Sequence, residues 1–414
     1  MARAVRWILV LLICTGLASC SDEILPPVDS GAGGKVITQS DLSNAANAFG
    51  FNLFKEIAKV NPDSNIVISP VSISLSLGMT QNGAAGATLD SMLSTLELSG
   101  YTVEGANECY RSLIDLLMTL DPEVQCQIAN SIWYHWAYTL KEGFHRTCRS
   151  YFDSEVRSLN FASWDAPDII NRWVEEYTNG LITDMVDKPM NPYQVISLIN
   201  AIYFRGSWTH PFNPEYTRKD WFIRRDGPPT PCRMMYQPES HYYTAYEGPG
   251  FYGVGLAYGD SLFSMTILLP KEGIPVGSVI EELNQKNWED WIGGFAPWRG
   301  ALYMPKFEIE FGDSLEDYLT ALGMGIAFDS YRAEFPYLFD DPDPIWLCHV
   351  NHKAYIRVDE RGTEAAAATD TGGETGIPPM IVIDRPFVFF IRENRSNTVL
   401  FIGQVVDPGY DLSD

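Results

Sequence analysis

Apolar positions recur at helical spacing early in the chain and at strand spacing later. Over residues 44–58, Ala48, Phe51, Leu53, Phe54, Ile57 and Ala58 line one face of a helix. Residues 65–68 form a short buried-strand pattern closed by Ser69-Pro70. The spacing predicts helices over 71–79 and 87–96, divided at Asn82-Gly83, and two more over 105–120 and 143–152. Residues 195–199 are almost continuously apolar, as in a sheet covered on both faces. Strand patterns then dominate, at 264–269, 301–310, 354–358, 387–391 and 399–403. No fixed-period repeat is present, and no linker separates the helix-rich part from the strand-rich part. The pattern predicts one α+β domain over 37–414.

The first residues follow another logic. Arg3 and Arg6 precede an apolar run over 7–13 that is too short to span a bilayer comfortably. Leu17-Ala18-Ser19-Cys20 resembles a bacterial lipobox, in which the cysteine becomes the lipidated first residue. Residues 1–20 are therefore expected to be a signal peptide and 21–36 a Pro- and Gly-containing flexible tether. The expected location is the bacterial cell envelope, lipid-anchored at the outer membrane and facing the periplasm or the surface, or else secretion. The lipid bilayer is then a partner through Cys20.

Composition narrows the function. Of 414 residues, 46% are hydrophobic, enough for a large core, and the formal charge is −24. Such a surface repels phosphate backbones, so nucleic acid is not an expected partner. Beyond Cys14 and Cys20 remain Cys109, Cys126, Cys148, Cys232 and Cys348. Their odd number and lack of a CxxC spacing specify no disulfide framework; scattered thiols, with one bridge at most, fit better.

One segment breaks the local rules. From 359 to 379 the single large apolar side chain is Ile377, and a loop this long inside a domain is usually functional or disordered. Its alanine run, between Gly362 and Gly372-Gly373, is too short to persist as a helix alone. Read as a strand, it shows Thr363, Ala365, Ala367, Thr369 and Thr371 on one face, all small enough to slide between other strands. Glu364 and Asp370 lie on the other face, where they are expected to stay in water.

Glu360-Arg361-Gly362-Thr363-Glu364-Ala365-Ala366-Ala367-Ala368-Thr369 resembles the hinge of inhibitory serpins. Asn65-Ile66-Val67-Ile68-Ser69-Pro70-Val71-Ser72-Ile73, Gly83-Ala84-Ala85-Gly86-Ala87-Thr88 and Asn200-Ala201-Ile202-Tyr203-Phe204-Arg205-Gly206-Ser207-Trp208 resemble further blocks of that family. So do Met304-Pro305-Lys306-Phe307, His352-Lys353-Ala354, Arg385-Pro386-Phe387-Val388-Phe389 and Phe401-Ile402-Gly403-Gln404-Val405-Val406-Asp407-Pro408. The resemblance covers nearly the whole folded chain. It implies about nine helices packed on three β-sheets with an exposed reactive-centre loop.

It also implies a mechanism. The loop is bait for a serine protease, with cysteine proteases a second class of target. Once cleaved, it enters the main sheet as a new strand and strands the acyl-enzyme. Ser69, Ser72, Asn200 and His352 match the shutter beneath the opening. Trp208 matches the breach at its top, and Lys306 with Glu360 a pair that closes the hinge base. Counting on from Glu360 puts Gly376 before the cut, whereas matching Ile377-Pro378-Pro379 puts Thr375 there. The reading adopted is Thr375-Gly376, with Glu374 and Ile377 as alternatives. A small residue there suits elastase-like or subtilisin-like proteases. Only Arg111 is basic within 101–125, where the family keeps its cofactor helix, so heparin is not an expected partner. The expected state is a monomer without cofactor or metal.

The sequence holds leads toward two rivals. Gly259-Asp260-Ser261-Leu262 and Gly312-Asp313-Ser314-Leu315 spell an esterase motif, but no histidine has an aspartate three positions before it to complete that chemistry. His349-x-x-His352 lacks the supporting ligands of a metal site. The chain is thus not expected to be an enzyme. The nearer rival is a non-inhibitory serpin, a binding or chaperone module or a plain protease substrate. That class carries bulky, charged or proline residues at the inward hinge positions, where Thr363, Ala365 and Ala367 stand here.

Overall fold

The computed structural model describes residues 35–238, 242–341, 344–363 and 379–409. Cys20, the hinge residues Glu364, Ala365, Ala366, Ala367, Ala368 and Thr369, and the bait positions Glu374, Thr375, Gly376 and Ile377 lie outside them.

Local chemistry sets the element ends. The first helix, α1 (Gln39–Val60), opens on a capping box in which the Thr38 hydroxyl accepts from the Asp41 amide and the Asp41 carboxylate accepts from the Thr38 amide. Next, α2 (Pro70–Thr80) opens with Ser69 as cap and proline at its first position, and every residue of it is buried. The remaining helices are α3 (Gly86–Thr95), α4 (Val103–Thr119), α5 (Glu142–Phe152), α6 (Ala166–Tyr177), α7 (Val276–Glu281), α8 (Gln285–Gly294) and α9 (Glu316–Leu319).

Three sheets carry the described strands. The seven-stranded sheet runs β1 (Ile66–Ile68), β17 (Val399–Val405), β16 (Phe387–Glu393), β9 (Phe263–Pro270), β8 (Phe251–Tyr258), β7 (Tyr242–Glu247), β10 (Ala296–Arg299). A four-stranded sheet runs β15 (Met380–Val382), β11 (Ala301–Pro305), β6 (Thr230–Gln237), β5 (Arg218–Phe222). The third runs β12 (Phe307–Ser314), β13 (Val350–Val358), β4 (Ile196–Ser207), β2 (Val124–His135), β3 (Glu155–Leu159), and β14 (Gly362–Thr363) also pairs with β4. This is the α+β architecture expected, with nine α-helices among the described residues.

The predicted strand over 301–310 is two strands in different sheets. Pro305, which has no amide hydrogen, ends β11, and Lys306 turns the corner with its amide on the Arg233 carbonyl (2.8 Å). That corner carries Lys306 from one sheet to the edge of the next.

The outer face of β4 is closed to water at its middle. Ile199 and Ala201 are buried there in an apolar layer with Ile170, Trp173 and Val174 of α6. A second core covers this face at Ile199 and Ala201, so both sides of β4 are dry at that level.

Candidate functional site

The central seam of the third sheet lies between β13 and β4. They run parallel from Val350 opposite Leu198 to Ala354 opposite Ile202. Higher up, β14 runs antiparallel to β4, with Gly362 opposite Ser207 and Thr363 opposite Gly206. The chain leaves β13, turns through 359–362 and starts back down beside β4.

The turn is clamped from both ends. Trp208 donates from its amide to the Arg361 carbonyl (2.9 Å) and from its indole to the Asp359 carbonyl (3.0 Å). The Phe212 amide donates to the Glu360 carbonyl (2.8 Å). Trp208 itself stacks on Tyr258, centroids 4.4 Å apart and planes 12° off parallel. The Tyr258 hydroxyl meets the Thr363 hydroxyl at 3.1 Å, and Thr363 is buried.

Glu360 is not the exposed partner of a weak surface pair. One carboxylate oxygen takes Lys306 at 3.0 Å, the other accepts from the Thr217 hydroxyl at 2.7 Å, and its side chain is 10% exposed. Burial alone pushes its pKa up. The Thr217 hydroxyl, its own backbone and Lys306 outweigh that and hold it below the usual glutamate value.

Below this turn lies a buried polar cluster of the four residues expected to form the shutter. Asn200 and His352 are register partners across the seam, and the imidazole Nδ1 meets the Asn200 side-chain oxygen at 2.7 Å. The Ser69 amide donates to His352 Nε2 at 3.2 Å, which leaves the ring proton on Nδ1. The Asn200 amide group donates to the Ser72 carbonyl and hydroxyl and to Asn130 Oδ1 on β2. Burial pushes the His352 pKa down to about 3. Protonating Nε2 would also set it against the Ser69 donor, so this histidine is a neutral bridge.

All four expected shutter residues thus meet, as do Glu360 and Lys306 at the hinge base. Sequence reasoning missed Tyr258, Thr217 and Asn130. Asn130 interrupts the apolar run Ile128-Ala129-Asn130-Ser131-Ile132-Trp133, a signal available in hindsight. Tyr258 and Thr217 carry none.

The esterase motifs hold no matching arrangement. The Ser314 hydroxyl donates to Glu316 at 2.5 Å and the same carboxylate takes His349 at 3.2 Å, so the histidine faces the acid and not the serine. Ser261 lies in the turn between β8 and β9. Cys109, Cys126, Cys148, Cys232 and Cys348 are all free thiols, so no bridge forms among them. No group of three or more metal-ligating side chains occurs among the described residues. None of their helices is long and apolar enough to cross a membrane.

A two-residue strand thus pairs with β4 above a closed parallel seam and a buried polar cluster. The chain belongs to the serpin (serine protease inhibitor) family, whose model matches residues 44–408. It is 30% identical to neuroserpin of Gallus gallus over 86% of this chain and 89% of that protein. It is 32% identical to glia-derived nexin of Homo sapiens over 87% of this chain and 92% of that protein. Among solved structures it is similar to native protease nexin-1 with heparin, with a TM-score of 0.82 and 29% identity over 90% of this chain and all (100%) of that one. It is similar also to the thermophilic serpin tengpin in its native state, with a TM-score of 0.81 and 30% identity over 90% of this chain and 96% of that one.

Proposed function

We propose that this protein is an inhibitory serpin that acts as a suicide substrate for a serine protease. The observation that carries the reading is the seat of β14: Gly362 and Thr363 already occupy the first two rungs of a new strand beside β4. Continuing in that register sets Glu364 opposite Arg205, a complementary pair. Ala365 falls opposite Phe204 and Ala367 opposite Ile202. Thr369 falls opposite Asn200, where its hydroxyl would stand between the two shutter partners. The run ends with Gly373 opposite Ile196, the first residue of β4. Every residue on the inward face is small, so only the seam bonds must break.

The chemistry starts with the protease. Its nucleophile attacks the carbonyl of the bait bond, for which Thr375-Gly376 is our choice, and expels the new amine as an acyl-enzyme forms. Residues 363–375 as a strand span roughly 40 Å, which carries the tethered protease to the far end of the sheet. A small residue at the bait supports an elastase-like or subtilisin-like target. Heparin is not part of the reading, because Arg111 on α4 is tied to Asp115 at 2.6 Å. The reading includes a lipid anchor at Cys20 on a bacterial envelope, with the signal residues before Cys20 removed and 21–36 as spacer.

One observation favours the non-inhibitory alternative: the same register brings Asp370 opposite Ile199, beneath the apolar layer of α6. The deciding experiment incubates Thr363→Arg with an elastase-like protease beside the wild type. Wild type is expected to form an SDS-stable adduct, and the variant to be cleaved with no adduct, because an arginine cannot occupy the Tyr258 pocket. Equal adduct yields would sink the insertion reading.

A further inference from the structure

A cavity of about 440 Å³ opens on the flank of the third sheet, between α4, α5, α6 and strands β2 and β3. Its size falls within the range that encloses small ligands. Ile114, Phe152 and Val156 give it apolar walls, and Met118 and Tyr177, 51% and 44% exposed, stand in the same lining. Three polar groups there are unspent. His145 and Arg149 lie one helical turn apart on α5, and neither side chain has an ion pair or hydrogen bond among the described residues. Trp173, only 6% exposed, has a buried indole N–H without a partner.

The buried Trp173 indole N–H calls for an oxygen, because a buried donor left unmet is costly, and the exposed Arg149 guanidinium at the cavity's edge favours that oxygen being anionic. The walls call for hydrocarbon. Of the two acids in the lining, Glu155 is neutralised by Arg157 at 2.5 Å, which leaves Asp153 to repel a second carboxylate. We propose that this cavity binds an amphipathic monocarboxylate, a fatty acid or arylalkanoate. Its carboxylate meets Arg149 and the Trp173 indole N–H, and its body lies against Ile114 and Val156.

The site also touches the latch. Asn130 stands in the cavity wall and accepts from Asn200 at 2.6 Å, and Asn200 holds His352 across the seam. An occupant that bridges α4 and α5 to β2 ties this half of the sheet to the body of the protein and so resists opening of the seam. The coupling rests on the inhibitory reading; the binding does not.

The test is calorimetric titration of the full chain with decanoate, decanol and decanedioate. Decanoate is expected to bind saturably at one site, with decanol, decanedioate and the Arg149→Gln variant weaker by about tenfold or more, the value of one charge-assisted hydrogen bond. Ile114→Trp fills the cavity and is expected to abolish binding. Absence of saturable decanoate binding, equal affinity for decanol, or unchanged affinity in both variants would each overturn the site. Hydrogen exchange then reads the coupling. Decanoate is expected to slow exchange of the β4 and β13 amides in wild type and not in Asn130→Ala; unchanged exchange in bound wild type would overturn the coupling alone.

Discussion

At Gly362 the backbone takes φ +135°, and a Cβ built there would lie 2.2 Å from the Gly206 carbonyl oxygen and 2.7 Å from the Trp208 amide nitrogen. Both constraints act at once, since L side chains avoid that φ and β4 leaves no room. Gly362→Ala is therefore expected to push β14 off β4, at a cost of about 1–3 kcal/mol in strain alone. The Arg361–Gly362 bond reports it. In wild type the turn is clamped by Trp208 and should resist trypsin; in the variant it should be cut early, and equal resistance would refute the argument. This glycine was legible in the sequence, as were Glu360, Lys306, Trp208 and the shutter, because each sits inside a recognisable block. Tyr258 and Thr217 were not. Their roles come from long-range packing, and neither position differs in type from an ordinary core tyrosine or surface threonine.

At the scale of elements, the seam is the part that the proposed insertion has to open. His352 couples it to pH. Its pKa is about 6.5 when unfolded and is pushed down to about 3 in the fold. The unfolded chain thus binds a proton that the native seam refuses. The stability this group supports is fully present above about pH 6.5 and is lost progressively as pH falls toward 3. Each unit in that window costs about 1.4 kcal/mol, so roughly 2 kcal/mol is lost by pH 5. Glu360, held below the usual glutamate value, adds its loss only in stronger acid. Denaturant melts from pH 7 to 5 should show a steeper fall for wild type than for His352→Gln, by about one proton; parallel curves would refute it.

The layer under α6 supplies a second test at this scale. Inserting Asp370 opposite Ile199 costs several kcal/mol unless α6 moves aside or the carboxyl takes a proton. Asp370→Ala should therefore speed insertion and lower by several-fold the number of molecules cleaved per protease trapped. An unchanged stoichiometry would show that this residue never reaches the layer. The sequence could not foresee it, because alternation tells inward from outward but not which face a helix covers. The same limit fused β11 and β12 into one predicted strand: the apolar alternation runs on through Pro305 and Lys306, and only tertiary packing sends the two halves to different sheets.

For the molecule as a whole, the proposed function requires the third sheet to take in one more strand. Parallel pairing of β13 with β4 ends at Ala354 and Ile202, and β14 takes up β4 again at Gly206. While the bait is intact, its two ends are fixed in different sheets, Thr363 beside β4 and Met380 beside β11, so the strand cannot lengthen without tearing β15 away. In the proposed mechanism, cleavage removes that constraint. The inserted residues would then gain hydrogen bonds along both edges, exchange a parallel seam for antiparallel ladders and bury the inward alanines and threonines. Each gain is small, and together they must exceed the cost of ordering the segment, about 1–2 kcal/mol per residue. Protein clipped within 364–378 by a small catalytic amount of an elastase-like protease is therefore expected to melt higher than the intact chain. The expected rise is roughly 10 °C or more, the shift that several kcal/mol produces in a domain of this size. Thr363→Arg, clipped the same way, should show no such rise, because its first rung is blocked. A clipped wild type that melts at or below the intact protein would mean that the place beside β4 is not filled, and the proposed trap would have no source of energy.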